Sequence, residues 1–333
     1  MNSTDEPNSD NGDLDRLLHV AGPRVQPPED LEREVRAAVH REWRAVVTAR
    51  ARRRRFAQVA IAAGLGAVAL TVWLLNQAPT PPVVVASIER LIEGGTVSSE
   101  GPASAQPLAE KQELHAGATL STGVNGGVLI RLTDGISVRL DRNSIVRLAS
   151  RDQITLNAGA LYVDAGTTAH SELRVQTPAG MVRHVGTQYE VRLVDSGTRI
   201  RVREGRVQFS APGGARVVGE AGTQLTILAD GEAHSEAIAL SGADWSWIGR
   251  VAPQFVIENR TLPEFLQWAS RELGREVVYA TPATREEAAG IHLRGSIEGL
   301  APDAALAAVL STTRLTSAEK NGRILIELPA TAN

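Results

Sequence analysis

Between Phe56 and Leu75 the chain runs for twenty residues without a charged side chain. At a helical rise of about 1.5 Å per residue that length spans about 30 Å, the thickness of a bilayer's hydrocarbon core. The stretch is therefore predicted to be a single transmembrane helix. Arg50, Arg52, Arg53, Arg54 and Arg55 abut its N-terminal end, whereas Asn76 to Pro82 carries no charge. Because cytoplasmic flanks collect arginine and lysine, these five act as topology determinants: the N-terminus is expected in the cytoplasm and everything after Pro79 outside. A cleavable signal peptide has a short basic leader and an apolar core of about 7–15 residues; here more than fifty residues precede a longer one. Arg53-Arg54-Arg55-Phe56 overlaps part of a twin-arginine export signal, but topology alone accounts for the arginines. Small residues four apart, Ala60 with Gly64 and Ala62 with Gly66, suit close packing of two such helices, as any alanine-rich span does by chance.

The remaining composition excludes more than it identifies. The 333 residues carry a formal net charge of -3 and no cysteine. Without a basic field there is no electrostatic footprint for nucleic acid. Without cysteine there is no disulfide framework, thiolate metal site or thiol nucleophile. Seven histidines (19, 40, 115, 170, 184, 234 and 292) show no His-x-x-x-His or His-x-His spacing, so no metal site is expected. No phosphate loop, nucleophile elbow or dinucleotide fingerprint is present. Neither a cofactor nor a separate enzyme substrate is expected.

On the inner side, residues 1–12 are polar and acidic and read as a tail without a core. After the Gly22-Pro23 and Pro27-Pro28 breaks, Leu31, Val35, Val39 and Trp43 recur every four residues, one apolar stripe on a helix from Glu29 to about Arg50. A segment of about fifty residues with one stripe cannot bury a stable core alone. The stripe belongs either to a stalk or hairpin closed on itself, or to a helix that docks in a partner's groove.

On the outer side the rhythm changes to short alternating runs. In Ile136-Ser137-Val138-Arg139-Leu140 and Arg199-Ile200-Arg201-Val202-Arg203 the apolar residues face one way and the polar ones outward, the mark of half-buried strands. Asp134-Gly135 predicts a tight hairpin, and Glu204-Gly205, Pro212-Gly213-Gly214 and Asp230-Gly231 further turns. The expectation is an all-β roll, sandwich or short solenoid over 91–232, after a linker over 76–90. A second linker, 233–254, leads to an α+β segment over 255–328, read as βαββαβ. Its strands are Phe255-Val256-Ile257, Val277-Val278-Tyr279, Ile291-His292-Leu293 and Ile324-Leu325-Ile326. Its helices are one started by Thr261 and Pro263 and ended by Gly274, and another over Pro302 to Leu310. Trp245, Trp247 and Trp268 are assigned to core or interdomain packing.

The stretches "LSTGVNGGVLIRLTDGISVRLDRNSIVRL", "ITLNAGALYVDAG", "LRVQTPAGMVRHVGTQYEVRL", "TRIRVREGRVQFSA" and "GEAGTQLTI" resemble, in order, the FecR domain of transmembrane sigma-factor regulators, over roughly 90–230. They carry its Leu-x-Asp-Gly (Leu132 to Gly135), Gly-Thr-x-aromatic-x-Val (Gly186 to Val191) and Val-x-x-Gly-x-Val (Val202 to Val207) elements. "FVIENRTLPEFLQWASRELGREVVY" and "IHLRGSIEGLAPDAALAAVLSTTRL" are similar to the STN domain shared by secretins and TonB-dependent transducers. The resemblance implies an inner-membrane regulator of a Gram-negative cell. Its outer domains, periplasmic, would meet the N-terminal domain of an outer-membrane TonB-dependent transducer. Residues 13–50 would hold or release an extracytoplasmic-function sigma factor, with Leu31, Val35, Val39 and Trp43 as the contact stripe. The competing expectations are a membrane-tethered envelope-binding protein with no sigma partner, and a scaffold that assembles through its C-terminal module.

The resemblance also singles out one peptide bond. Some relatives are reported to split at the corresponding Gly-Thr, and here the Thr187 hydroxyl follows the Gly186 carbonyl, with His184 nearby to move a proton. The plainer expectation is a β-bulge or strand start whose threonine caps a backbone amide.

Overall fold

The computed structural model describes Pro28, residues 33–39, Trp43, Gly66, Val68, Leu70, Thr71, Trp73, and residues 83–99, 104–166 and 172–329. The chain divides into two units, Met1–Thr80 and Pro81–Asn333. In the first, residues 33–39 and Trp43 are helical, and Val35, Val39 and Trp43 are all more than half exposed. Leu31 and the arginines at 50 and 52–55 lie outside the described residues. Of the predicted span only Gly66, Val68, Leu70, Thr71 and Trp73 are described, all helical. Among the described residues no helix is long and apolar enough to cross a membrane, and most of the predicted span lies outside them.

The first strand of the second unit, Val84–Ile92, starts inside the predicted linker and pairs with both Gly127–Leu132 and Glu113–His115. Sixteen strands among the described residues form one sheet, which curls around a single core built from both its ends, from Val85 and Leu114 to Leu225 and Ile227. Of the predicted alternatives this is a roll. It extends to Ala233–Ala237, into the second predicted linker. Period-two alternation drives it: Ile136, Val138 and Leu140, and Ile200 and Val202, all face the core. The Asp134-Gly135 hairpin forms as predicted, with Gly135 N–H donating to Leu132 O at 2.9 Å. Glu204-Gly205 does not turn the chain; it lies within the continuous strand Gly197–Ser210, because Gly205 is absorbed as an irregularity opposite Gly186.

The C-terminal segment differs from the predicted βαββαβ order. It contains helices α1 (Ser246–Arg250), α2 (Leu262–Leu273), α3 (Pro282–Gly290) and α4 (Pro302–Ser311). Its three-stranded sheet has Arg323–Glu327 at the centre, flanked by Val277–Tyr279 in parallel and Thr316–Lys320 in antiparallel. Phe255 to Ile257 is irregular, and Ile291 to Leu293 contributes only one bridge, Thr261 to His292. These residues pack by side chain instead: Phe255 meets the Phe265 ring edge to face and the Trp268 ring at a tilt, with centroids 5.7 and 5.6 Å away.

Helix α2 starts and stops where its sequence says. Thr261 and Glu264 form a reciprocal capping box, and Gly274 closes the helix at φ 62°. Gly274 also lets the roll approach: a Cβ there would lie 2.5 Å from Leu240 O and 2.6 Å from Arg203 Nε. Left-handed backbone costs a side-chain-bearing residue about 1–2 kcal/mol, and here backbone blocks relief. Gly274→Ala should therefore lower the unfolding free energy by at least about 1–2 kcal/mol, read as a reduced denaturant midpoint with unchanged slope.

Candidate functional site

On one face of the roll the outward residues are buried: Ser137, Arg139, Tyr162, Asp164, Gln188, Glu190, Arg201 and Arg203. Strand register places Arg139 beside Tyr162, Tyr162 beside Glu190, and Glu190 beside Arg201, a polar row across four strands. A second row runs Ser137, Asp164, Gln188 and Glu204. Helix α2, α1 and residues 238–245 cover both rows. Arg139, 1% exposed, donates from Nη1 and Nη2 to the two Glu272 oxygens of α2 at 2.7 and 2.9 Å, and from Nη1 to Ile248 O at 3.1 Å. Its guanidinium lies 5.2 Å from the Tyr162 ring centroid. Arg203 stacks 4.4 Å from the Trp245 ring and donates to Leu240 O and to Glu272 O, a carbonyl at the C-terminal end of α2. Arg250 and Arg90 add bonds to Asp141 and Ala252 O. Trp245 and Trp268 are packing residues, as predicted, and Trp247 sits under Arg192.

Arg271 of α2 forms a second fork, to both Asp164 oxygens, with its third N–H donating to Glu204 Oε2 at 3.1 Å. Burial alone would raise the Asp164 carboxyl; the hydrogen bond and charge of Arg271, with Arg139 behind, outweigh it and hold the group below the usual range. A depressed carboxylate stabilises the fold fully above its unfolded pKa of about 3.9, and this contribution disappears as pH falls through the folded value. The Asp164 contribution is thus constant near neutrality.

Next to this seam lies the Gly186-Thr187 bond. Strand Gly180–Val194 pairs regularly with Gly197–Ser210 except where register shifts between Val185 and Tyr189. There Gly186 has φ 59° and Gly205 φ 75°, so both strands carry a left-handed glycine. The bulge half of the plainer expectation is present. The capping half is not: the Thr187 hydroxyl is buried and has no hydrogen-bond partner among the described residues, while its carbonyl accepts from Ala165 N–H at 3.1 Å. A hydroxyl left unpaired in a dry interior is costly.

His184 is buried 5.8 Å from the Tyr189 ring, and its Nε2 accepts from Leu173 N–H at 3.0 Å. That bond occupies the lone pair and leaves Nδ1, which has no partner, to carry the proton. Burial lowers the His184 pKa, against smaller opposing effects of Glu172 and Asp134. Val35, Val39 and Trp43 fall in the first unit, and Leu31 lies outside the described residues; among the described residues no cluster of histidine and carboxylate side chains could hold a metal.

Sequence alternation identified which residues leave the core but not what meets them. The available signal was Arg139, Arg199, Arg201 and Arg203, four arginines facing away from the core on two strands that 160–164 and 180–194 separate in the sheet.

Residues 118–208 match the family described as FecR protein. No curated protein matches the chain. Two crystal structures of a protein from Parabacteroides distasonis ATCC 8503, provisionally named an anti-sigma factor, are similar at 17% and 16% identity and TM-scores of 0.34 and 0.35. Each covers 64% of this chain and 99% of its own.

Two outcomes follow. Removing one partner of a buried ion pair strands the other, at about 3–5 kcal/mol. Glu272→Ala should lose that much stability by chemical denaturation, while Arg139→Met with Glu272→Leu should regain most of it. His184, buried neutral, contributes stability that is complete above its unfolded pKa of about 6.5 and shrinks as pH falls below it. The denaturation midpoint should decline from about pH 7 to 5.5, and His184→Gln should flatten that decline.

Proposed function

We propose that this chain is a single-pass inner-membrane regulator that controls an extracytoplasmic-function sigma factor. The observation that carries the reading is the FecR match over residues 118–208, placed after an uncharged span with five arginines on its inner flank. Residues 56–75 cross the membrane with the N-terminus in the cytoplasm. The stripe Leu31, Val35, Val39 and Trp43 holds the sigma factor; exposure of Val35, Val39 and Trp43 supports it. The roll and the C-terminal domain, an STN-type module in this reading, lie in the periplasm. There they receive a signal from the N-terminal domain of a TonB-dependent transducer, in a system such as iron uptake.

The buried, partnerless Thr187 hydroxyl supports a covalent step in the relay. Its oxygen attacks the Gly186 carbonyl carbon and the Gly186–Thr187 C–N bond breaks. The hydroxyl proton passes to the departing Thr187 nitrogen, leaving an ester. Water then cleaves the ester, giving the Gly186 carboxylate and restoring the hydroxyl. His184 can take part only after releasing Leu173 N–H.

Capture of the full-length chain from its own host in mild detergent, with mass spectrometry of bound proteins, tests the sigma-factor reading. A sigma factor should be retained by the native chain and lost in Trp43→Asp; none in either sample would favour the tethered envelope-binding alternative. On a denaturing gel the native chain should show two fragments meeting at 186/187, and Thr187→Ala only the full-length band. Fragments unchanged in that variant would remove the hydroxyl from the mechanism.

A further inference from the structure

The seam and the bulge share hydrogen bonds. Thr187 O is held by the N–H of Ala165, and the residue before Ala165 is Asp164, gripped at both oxygens by Arg271. Gln188, the residue after Thr187, donates from Nε2 to Asp164 Oδ2 at 3.0 Å. Glu204, which pairs with Gln188 across the bulge, takes the remaining Arg271 bond. Asp164 and Glu204 therefore meet directly on one guanidinium supplied by the C-terminal domain, and segment 187–188 is tied to it through Asp164 and Ala165. A planar fork holds such a set with fixed geometry. Within the roll, the Gly166 N–H also bonds Asp164, and Arg139 lies close enough to affect its charge. Glu204, by contrast, has Arg271 as its cation.

Arg271 is not what fastens the two domains. Arg139, Arg203, Arg250 and Arg90 span the same seam without it. It is placed instead where two carboxylates of the roll, Asp164 and Glu204, share its charge. Take the guanidinium away and they face one another across Gln188 with like charge, which disfavours their row.

We propose that Arg271 is a latch through which docking of the C-terminal domain sets the conformation of the Gly186-Thr187 bulge. With the domain seated, Asp164, Ala165 and Gln188 are fixed, Thr187 O keeps its bond and the Thr187 hydroxyl stays buried. With the domain displaced, Asp164 and Glu204 lose their common cation, and segments 164–165 and 187–188 loosen together. Arg271 is a positioning residue for the bulge. The proposal rests on the relay reading and supplies its mechanical step, yet it concerns backbone motion alone and stands or falls without any sigma factor or chain cleavage.

Hydrogen exchange on the full-length chain, resolved by peptide mass spectrometry, tests it. Arg271→Ala should speed exchange of the Ala165 amide and of residues 186–190 by about tenfold or more. The strand Gly127–Leu132 and helix α2 should keep their native rates, and Arg271→Lys, which reaches one oxygen at a time, should restore part of the protection. Unchanged exchange at Ala165 in Arg271→Ala, with α2 still protected, would overturn the proposal. If α2 itself loses protection in that variant, Gln188→Ala decides, because it cuts the link on the roll side and leaves the seam intact. Faster exchange at Ala165 then supports the latch, and native exchange there overturns it.

Discussion

A guanidinium and a carboxylate, Arg139 and Glu272, face each other in an interior that water does not reach, and the arrangement of the second unit depends on them. Taking both charges out of water is expensive, and their attraction repays it only in good geometry. The bidentate fork supplies that geometry, with Ile248 O and the Tyr162 ring completing the surroundings. Such pairs specify orientation more than they add stability. Here the orientation is that of α2, which fixes where Arg271 and the end of the helix meet the roll.

The chemistry of the seam also determines how it can part. Its apolar component is small, centred on Tyr162, Trp245 and Ile248, and most of the rest is arginine, carboxylate and backbone carbonyl. An apolar interface of this extent would be trapped by the cost of exposing it; separated ion pairs are rehydrated on exposure. The same residues that reject a misplaced domain therefore tolerate a released one. The bulge lies one hydrogen bond from this seam, and its two left-handed glycines give the backbone room to change there.

Much of the local structure was legible. The Asp134-Gly135 hairpin, the inward set of Ile136, Val138, Ile200 and Val202, and the Thr261 and Gly274 ends of α2 follow from short-range rules that tertiary context did not override. The misses have physical causes. Helix α3 buries only Thr284 and Ala288, so no apolar period announced it, although Thr281-Pro282 repeats a helix-start signal. Thr316–Lys320 is exposed at every residue, an edge strand without alternation; the Asn321-Gly322 turn, both residues at positive φ, was its usable sign. Phe255 to Ile257 and Ile291 to Leu293 have strand-like composition but meet side chains rather than a free sheet edge. At the candidate site the Gly-Thr pair was visible in the sequence, whereas the absence of a partner for its hydroxyl and the convergence on Arg271 required register across several strands.

The roll and the C-terminal domain form one body, oriented by the Arg139–Glu272 pair. Because the chain contains no cysteine, single cysteines placed at Val218 on the roll and Lys320 on the C-terminal sheet, both exposed, can be spin-labelled cleanly and their separation measured by pulsed electron resonance. One narrow distance distribution is expected in the native chain, broadening in Glu272→Ala. A distribution already broad in the native chain, or one untouched by that substitution, would contradict it.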